Sequence, residues 1–101
     1  MTKQSLRVLV VDDDPAIRRL LRTSLSIQGH AVFEERTGHG ALEAVAMHKL
    51  DAAILDLDLP DIEGVEVIRR LREWTRLPII ILSVCDRENT KVAALDAGAD
   101  D

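Results

Sequence analysis

Apolar and polar positions alternate along this chain in blocks rather than residue by residue. Residues 6–11, LRVLVV, form an apolar run rich in Val, the pattern of a strand buried on both faces. Asp14-Pro15 then predicts a helix start, with Asp14 as N-cap and Pro15 at the first helical position. Ile17, Leu20, Leu21 and Leu25 follow at helical spacing, and Gly29 ends the segment. Residues 31–34, AVFE, predict a shorter and more polar strand suited to a sheet edge. A second helix, carrying Leu42, Val45 and Ala46, is expected after Gly38 and Gly40. Residues 51–56, DAAILD, predict a third strand, and a loop over 57–61 leads to a helix with Val65, Ile68 and Leu71. Residues 78–83, PIIILS, read as a fourth strand, as apolar as the first. A last helix is expected to carry Val92, Leu95 and Ala99 on one side, with Gly98 near its end. Strand and helix thus alternate without repeat or low-complexity stretch. That succession predicts an α/β fold, a doubly wound parallel sheet with helices on both faces.

Composition narrows the function classes. At 101 residues the chain is one small domain, 47% apolar and 31% charged, in the range of ordinary globular chains. A net charge of −5 argues against a polyanion as its own ligand. Phe33 and Trp74 are the only aromatics, too few for a stacking platform on single-stranded nucleic acid. The lone Cys85 excludes an internal disulfide and fits a reducing compartment. No stretch approaches membrane length and the N-terminal apolar run is too short for a signal peptide, so a cytoplasmic location is expected.

The chemistry concentrates at strand ends. VDDDP places Asp12, Asp13 and Asp14 where the first strand stops, and Asp56 closes the third. Ligands of open parallel sheets sit beyond the carboxyl ends of the strands where strand order reverses. If the strand order is 2-1-3-4, strands one and three are central neighbours, Asp12, Asp13 and Asp56 project into one crevice, and Ser83 brings a hydroxyl to the same edge. Carboxylates so close repel one another, and a hard cation with oxygen ligands, magnesium above all, relieves that repulsion. A carboxylate there can also act as a nucleophile toward phosphorus. Plainer readings cover the other polar residues: Asp14 a helix cap, Asp61 a solvated loop, Glu63 the acidic start of a helix. His30, His39 and His48 fall on different elements and read as surface positions. Trp74 and the basic residues of the third helix read as packing and solvated face, and Cys85 as a small bland residue.

VLVVDDDPAIRRLLRTSL, AILDLDLPDIEGVEVIRRLRE and PIIILS, in that order and spacing, resemble the receiver domain of two-component response regulators. The tail DRENTKVAALDAGADD is similar to the winged-helix (OmpR/PhoB) class of that family. LREWTRLPIIILS looks more narrowly like the members that regulate potassium-uptake genes. The resemblance implies a flavodoxin-like topology, with residues 1–101 a receiver domain truncated before its fifth strand and helix. It implies Asp56 as phosphoacceptor, Asp13 as direct magnesium ligand, Asp12 as a ligand through water and Asp58 as a backbone-carbonyl ligand. Ser83 matches the switch hydroxyl, followed by Val84 where the family usually has a smaller residue.

The implied partners are a sensor histidine kinase and, in the parent protein, a C-terminal winged-helix DNA-binding domain. Lys91, Asp100 and Asp101 fall where the family's dimerisation face carries charged pairs. In the family a Lys follows that would contact the phosphoryl group, and these residues stop short of it. The acidic pocket is therefore expected without its basic partner, with self-association through an open fourth strand or helix faces. Two further readings stand beside this one: a receiver-like interaction module without phosphoryl turnover, and a haloacid-dehalogenase-type phosphatase suggested by Asp56-Leu57-Asp58. The phosphatase reading is disfavoured, because those enzymes place the motif after the first strand of a much longer chain.

Overall fold

The computed structural model describes residues 4–82 and 88–101. Strands and helices alternate as β1 (Arg7–Val11), α1 (Pro15–Ile27), β2 (Ala31–Glu35), α2 (Gly38–Met47), β3 (Ala52–Asp56), α3 (Gly64–Arg72), β4 (Ile79–Leu82) and α4 (Glu88–Ala97). The strands are parallel, as the alternation predicts, and lie in the order β2-β1-β3-β4 that the resemblance implies. Right-handed crossovers dictate the layers. The β1-to-β2 step moves to one side of β1 and the β2-to-β3 step returns past it, which puts α1 on one face and α2 and α3 on the other.

β1 is central, and Val8, Leu9, Val10 and Val11 are all buried. Leu9 and Val11 join Ala41 and Ala44 of α2, Val67, Ile68 and Leu71 of α3, and Ala94 of α4 in one core cluster. Val8 and Val10, alternating with them, turn toward the α1 face. Each such side chain contributes about 1.5–3 kcal/mol by leaving water. The α1 N-cap stands as predicted, with Asp14 accepting from the Ala16 amide at 2.9 Å. β2 is an edge strand and, unlike β1, has no fully buried residue.

Three details differ from the sequence expectation. α2 begins at Gly38 rather than after Gly40, because its first amides find acceptors in Thr37 and in a loop far along the chain. α4 turns inward not Val92 and Leu95, which are exposed, but Ala94, whose small side chain lets the helix lie close to α3; Ala99 is buried beyond the helix end. By contrast, the apolar side of α1 is incompletely covered, as expected: the helix packs mainly on β1 and β2, has no fully buried residue, and leaves Leu20 62% exposed.

The third detail is the outer edge of β4, expected as a row of unpaired backbone groups. Instead the Asp100 amide donates to the Ile79 carbonyl at 2.9 Å, and the Ile81 amide donates to the Asp101 carbonyl at 2.7 Å. The Ile79 amide donates to the Asp100 carboxylate at 2.7 Å. The strand expected over 78–83 ends at Leu82; Ser83, Val84 and Cys85 lie outside the described residues.

α3 starts immediately beside the end of β3. The Gly64 amide donates to the Leu57 carbonyl at 3.0 Å. A Cβ at Gly64 would lie 2.6 Å from Leu57 Cα and 2.8 Å from the Asp56 carbonyl oxygen, so only glycine permits this approach. Gly64→Ala is therefore expected to destabilise the fold by about 1–3 kcal/mol through backbone displacement. The measurement is the denaturant midpoint of the variant; an unchanged midpoint contradicts the close approach.

Candidate functional site

Parallel register builds the site. Val11 pairs with Leu55 across β1 and β3, so the next residues, Asp12 and Asp56, leave the sheet at the same level. Asp56 in turn pairs with Leu82 of β4. One carboxylate oxygen from each of Asp12, Asp13 and Asp56 lies within 4.8 Å of the others. Sequence reasoning expected these three to converge, and the fold brings them together.

Each acid has a distinct setting. Asp12 is buried, and its Oδ1 accepts from the Asp14 amide at 2.9 Å, closing the turn into α1. The Arg18 guanidinium donates to the Asp12 carbonyl at 2.7 Å, and the Asp12 amide donates to the Glu35 carbonyl at the end of β2. Asp13 is exposed and Asp56 is partly buried. Burial pushes the Asp56 carboxyl up, a hydrogen bond from the Asp58 amide works against this, and the charges of Asp12, Asp58 and Asp13 add to the rise. The result is a carboxyl at about 6, against 3.8 for a free one. The Asp58 amide lies 3.2 Å from Asp56 Oδ1, so the backbone after the strand folds back over the cluster.

The acids stand at one end of a cleft of about 330 Å³, whose apolar wall is formed by Ile17, Leu20 and Leu21 of α1 with Leu82. Among the described residues, no Lys or Arg lines it. An all-oxygen set of like charges matches what magnesium takes: one or two carboxylates, with waters completing the shell.

Elsewhere the polar residues have other work. His30 Nδ1 accepts from the Leu6 amide at the opposite end of the sheet, and the His48 ring packs on Phe33. His39 lies 3.9 Å from Asp61. Among the described residues, Asp12, Asp13 and Asp56 are the only group of His, Cys, Asp or Glu close enough together to hold an ion. Lys91 and Asp101 line a second cleft, of about 300 Å³, with Ile81 and Leu95. Asp100 does not join them: its carboxylate takes the Ile79 amide and the Arg72 guanidinium, at 2.7 and 3.1 Å. Asp61, expected in a solvated loop, instead accepts from the Gly38 and His39 amides at 2.8 and 2.9 Å. Burial works upward on it, but the amides of His39, Gly38, Ile62 and its own residue outweigh this and hold its carboxyl at about 2. Its partners lie 23 and 22 residues away, so no local pattern signals the contact.

Comparison with known proteins agrees with this geometry. The family profile described as response regulator receiver domain matches residues 8–101. The KDP operon transcriptional regulatory protein KdpE of Escherichia coli (strain K12) is 53% identical over 94 residues, covering 93% of this chain and 42% of the relative. Response regulator MprA of Mycobacterium ulcerans (strain Agy99) is 48% identical over 98 residues, covering 96% of this chain and 42% of the relative. The chain thus spans less than half the length of these curated relatives. Among solved structures, the BeF3-activated N-terminal receiver domain of Klebsiella pneumoniae RstA superposes with a TM-score of 0.87 at 31% identity, covering 92% of this chain and 80% of that one. Response regulator TrrA of Thermotoga maritima, in complex with Mg2+ and BeF, gives 0.84 at 33% identity, covering 94% and 82%. With its sheet order, its three convergent acids and a profile match over nearly its whole length, this chain belongs to the response-regulator receiver domains.

Proposed function

We propose that residues 1–101 act as the phosphoryl-accepting domain of a two-component transcriptional regulator, with Asp56 as the acceptor. The observation that carries this is the meeting of Asp12, Asp13 and Asp56 at one cleft. An Asp56 carboxylate oxygen attacks the phosphorus of a phosphohistidine or small acyl phosphate. The bond from phosphorus to the donor nitrogen or oxygen breaks, and the donor leaves with that electron pair. An acyl phosphate forms on Asp56, and later attack by water returns inorganic phosphate and the free carboxylate. Magnesium held by Asp13, Asp56 and the Asp58 carbonyl, with Asp12 acting through water, supplies positive charge against the phosphoryl oxygens. The Mg2+ and BeF of the TrrA structure support that ligand class here. Ser83 serves as the switch hydroxyl; its support is its place in the sequence directly after Leu82, the partner of Asp56.

The wider reading follows the relatives. The donor is a sensor histidine kinase of KdpD type, the output a C-terminal winged-helix DNA-binding domain, and the regulated genes those of potassium uptake, in the cytoplasm. The 53% identity to KdpE supports this choice over other members of the class. No helix among the described residues is long and apolar enough to cross a membrane. Self-association belongs to this reading too. Helix and sheet faces are better placed for it than the β4 backbone edge, since Leu20, Ile80, Val92 and Leu95 are exposed while Asp100 and Asp101 occupy that edge. A haloacid-dehalogenase-type phosphatase has no support from the fold or the family match.

Three outcomes are expected. With acetyl phosphate and magnesium, intact mass shows one added phosphoryl group, acid-stable and base-labile, and Asp56→Asn shows none; steady phosphate release without an adduct would indicate a phosphatase. Magnesium titration followed by amide shifts gives weaker binding for Asp13→Ala than for the wild type, and coincident curves dispose of the metal site.

The third outcome concerns pH without divalent cation. The folded state holds the Asp56 proton to about 6 and a free carboxyl only to 3.8. Stability is therefore lost as pH rises through that window and stays lower above it. In a chelator, Asp56→Asn should raise the melting temperature by a few degrees at neutral pH, with the gap closing toward pH ~4. An equal gap at both pH values contradicts the raised carboxyl.

A further inference from the structure

We propose that Asp61 is a positioning residue for phosphoryl acceptance: it fixes the loop that carries Asp56 and Asp58 by clamping that loop onto the first turn of α2. The proposal rests on Asp56 being the acceptor and on magnesium being held at Asp13 and the Asp58 carbonyl.

The loop over residues 57–63 is tied in three places. Two ties are internal to the segment: the Asp58 amide on Asp56 Oδ1 at 3.2 Å, and the Gly64 amide on the Leu57 carbonyl at 3.0 Å. Neither sets where the loop sits relative to the other acids. The third tie does. Asp61 Oδ1 accepts from the Gly38 amide at 2.8 Å and Oδ2 from the His39 amide at 2.9 Å. Among the described residues this carboxylate makes the loop's only polar link to an element other than β3 and α3, which flank it.

The α2 end is built to receive it. The first amides of a helix have no intrahelical acceptor and carry its partial positive charge. Thr37 Oγ1 takes the Gly40 amide at 2.9 Å, and Asp61 takes the two before it, so all three are satisfied. Packing closes the same joint. A Cβ at Gly38 would lie 2.5 Å from Ile62 Cγ1 and 2.9 Å from Val67 Cγ2, so the α2 backbone presses directly on the residue after Asp61.

The clamp also completes a ring around the site. The Asp12 amide donates to the Glu35 carbonyl at 3.1 Å, which ties the β1 end to the β2 end just ahead of α2. From there α2 leads through Asp61 to the loop, and the loop leads back to Asp56. Asp12 and Asp56 are thus held relative to each other by the sheet on one side and by this ring on the other. Without Asp61 the ring is open on the side of the Asp58 carbonyl.

A cap that only stabilised α2 would predict different behaviour, and three variants separate the two roles. Asp61→Asn keeps the size but offers one acceptor and turns a donor toward the second amide. Thr37→Ala removes the neighbouring cap of the same helix and leaves the loop clamp in place. Asp61→Glu keeps the charge but lengthens the clamp by one methylene. Each is confirmed as folded from its thermal melt at the assay temperature, then labelled with acetyl phosphate at saturating magnesium beside wild type and Asp56→Asn. Positioning predicts that Asp61→Asn slows labelling by about tenfold or more, as small displacements of reacting groups do. Thr37→Ala should stay within about twofold of wild type. Asp61→Glu should recover melting temperature while labelling stays several-fold slow.

The proposal is overturned if Asp61→Asn labels at the wild-type rate, or if Thr37→Ala slows labelling as much as Asp61→Asn for a similar loss of melting temperature. It is overturned as well if Asp61→Glu restores rate and stability together. Should Asp61→Asn fail to fold, Asp61→Glu and Thr37→Ala decide the matter. A wild-type protein that takes up no phosphoryl group, or an Asp56→Asn variant that still does, refutes the acceptor assignment itself, and the positioning role falls with it.

Discussion

The parallel pairing of β1 with β3 puts Asp12 and Asp56 side by side at one sheet edge, and the site follows from that constraint. Parallel strands in register carry their carboxyl ends to the same level, about 4.8 Å apart, so acids ending both strands cannot avoid each other. Asp13 adds a third charge within 4.8 Å. The cost appears at Asp56, whose carboxyl is pushed to about 6 by burial and by those neighbours, the Asp58 amide hydrogen bond working against them. A chain selected for stability alone would place a neutral residue there, and the cluster makes physical sense as a seat for positive charge and a source of a nucleophilic oxygen.

Holding repelling groups together requires stiffness behind them. β1 supplies it on one side, with four consecutive buried residues before Asp12. Behind Asp56 the stiffness comes from close backbone approaches: Gly64 against Leu57, and Gly38 against Ile62. Larger side chains at these glycines would spread the layers and open the loop. Asp12 is itself braced by the Asp14 amide and by Arg18 on its carbonyl, so the one fully buried acid is also the best tied.

Strand identity and the acids at strand ends were legible in the sequence because each rests on a local signal: apolar runs, an Asp-Pro helix start, and acids directly after strands; the sheet order came with the family resemblance. Other features were hidden because their partners are distant. Asp61 reads as a loop acid until Gly38 and His39 arrive beside it. Asp100 reads as a surface charge, yet it caps the Ile79 amide and meets Arg72 across 28 residues. In α4 the period was visible but the inward side was not, since Ala94 rather than Val92 or Leu95 meets α3 and only packing distance decides that. Ser83 lies outside the described residues, so its place rests on sequence alone.

The two ends of the sheet differ in a way that locates function without reference to relatives. At the amino end every polar group named here has a partner. The Arg7 amide donates to Asp51, its guanidinium lies 4.8 Å over the Phe33 ring and bonds the Lys49 carbonyl, and the Leu6 amide donates to His30. Local chemistry and global fold agree there. At the carboxyl end the fold gathers like charges in an open cleft, with Arg18 turned to the Asp12 carbonyl rather than lining the cleft. Proteins break the rules of mutual satisfaction chiefly where a ligand is to complete them. Like charges gathered in this way suit a cationic ligand, and beside them Asp61 ties the loop after β3 to the Gly38 and His39 amides of α2.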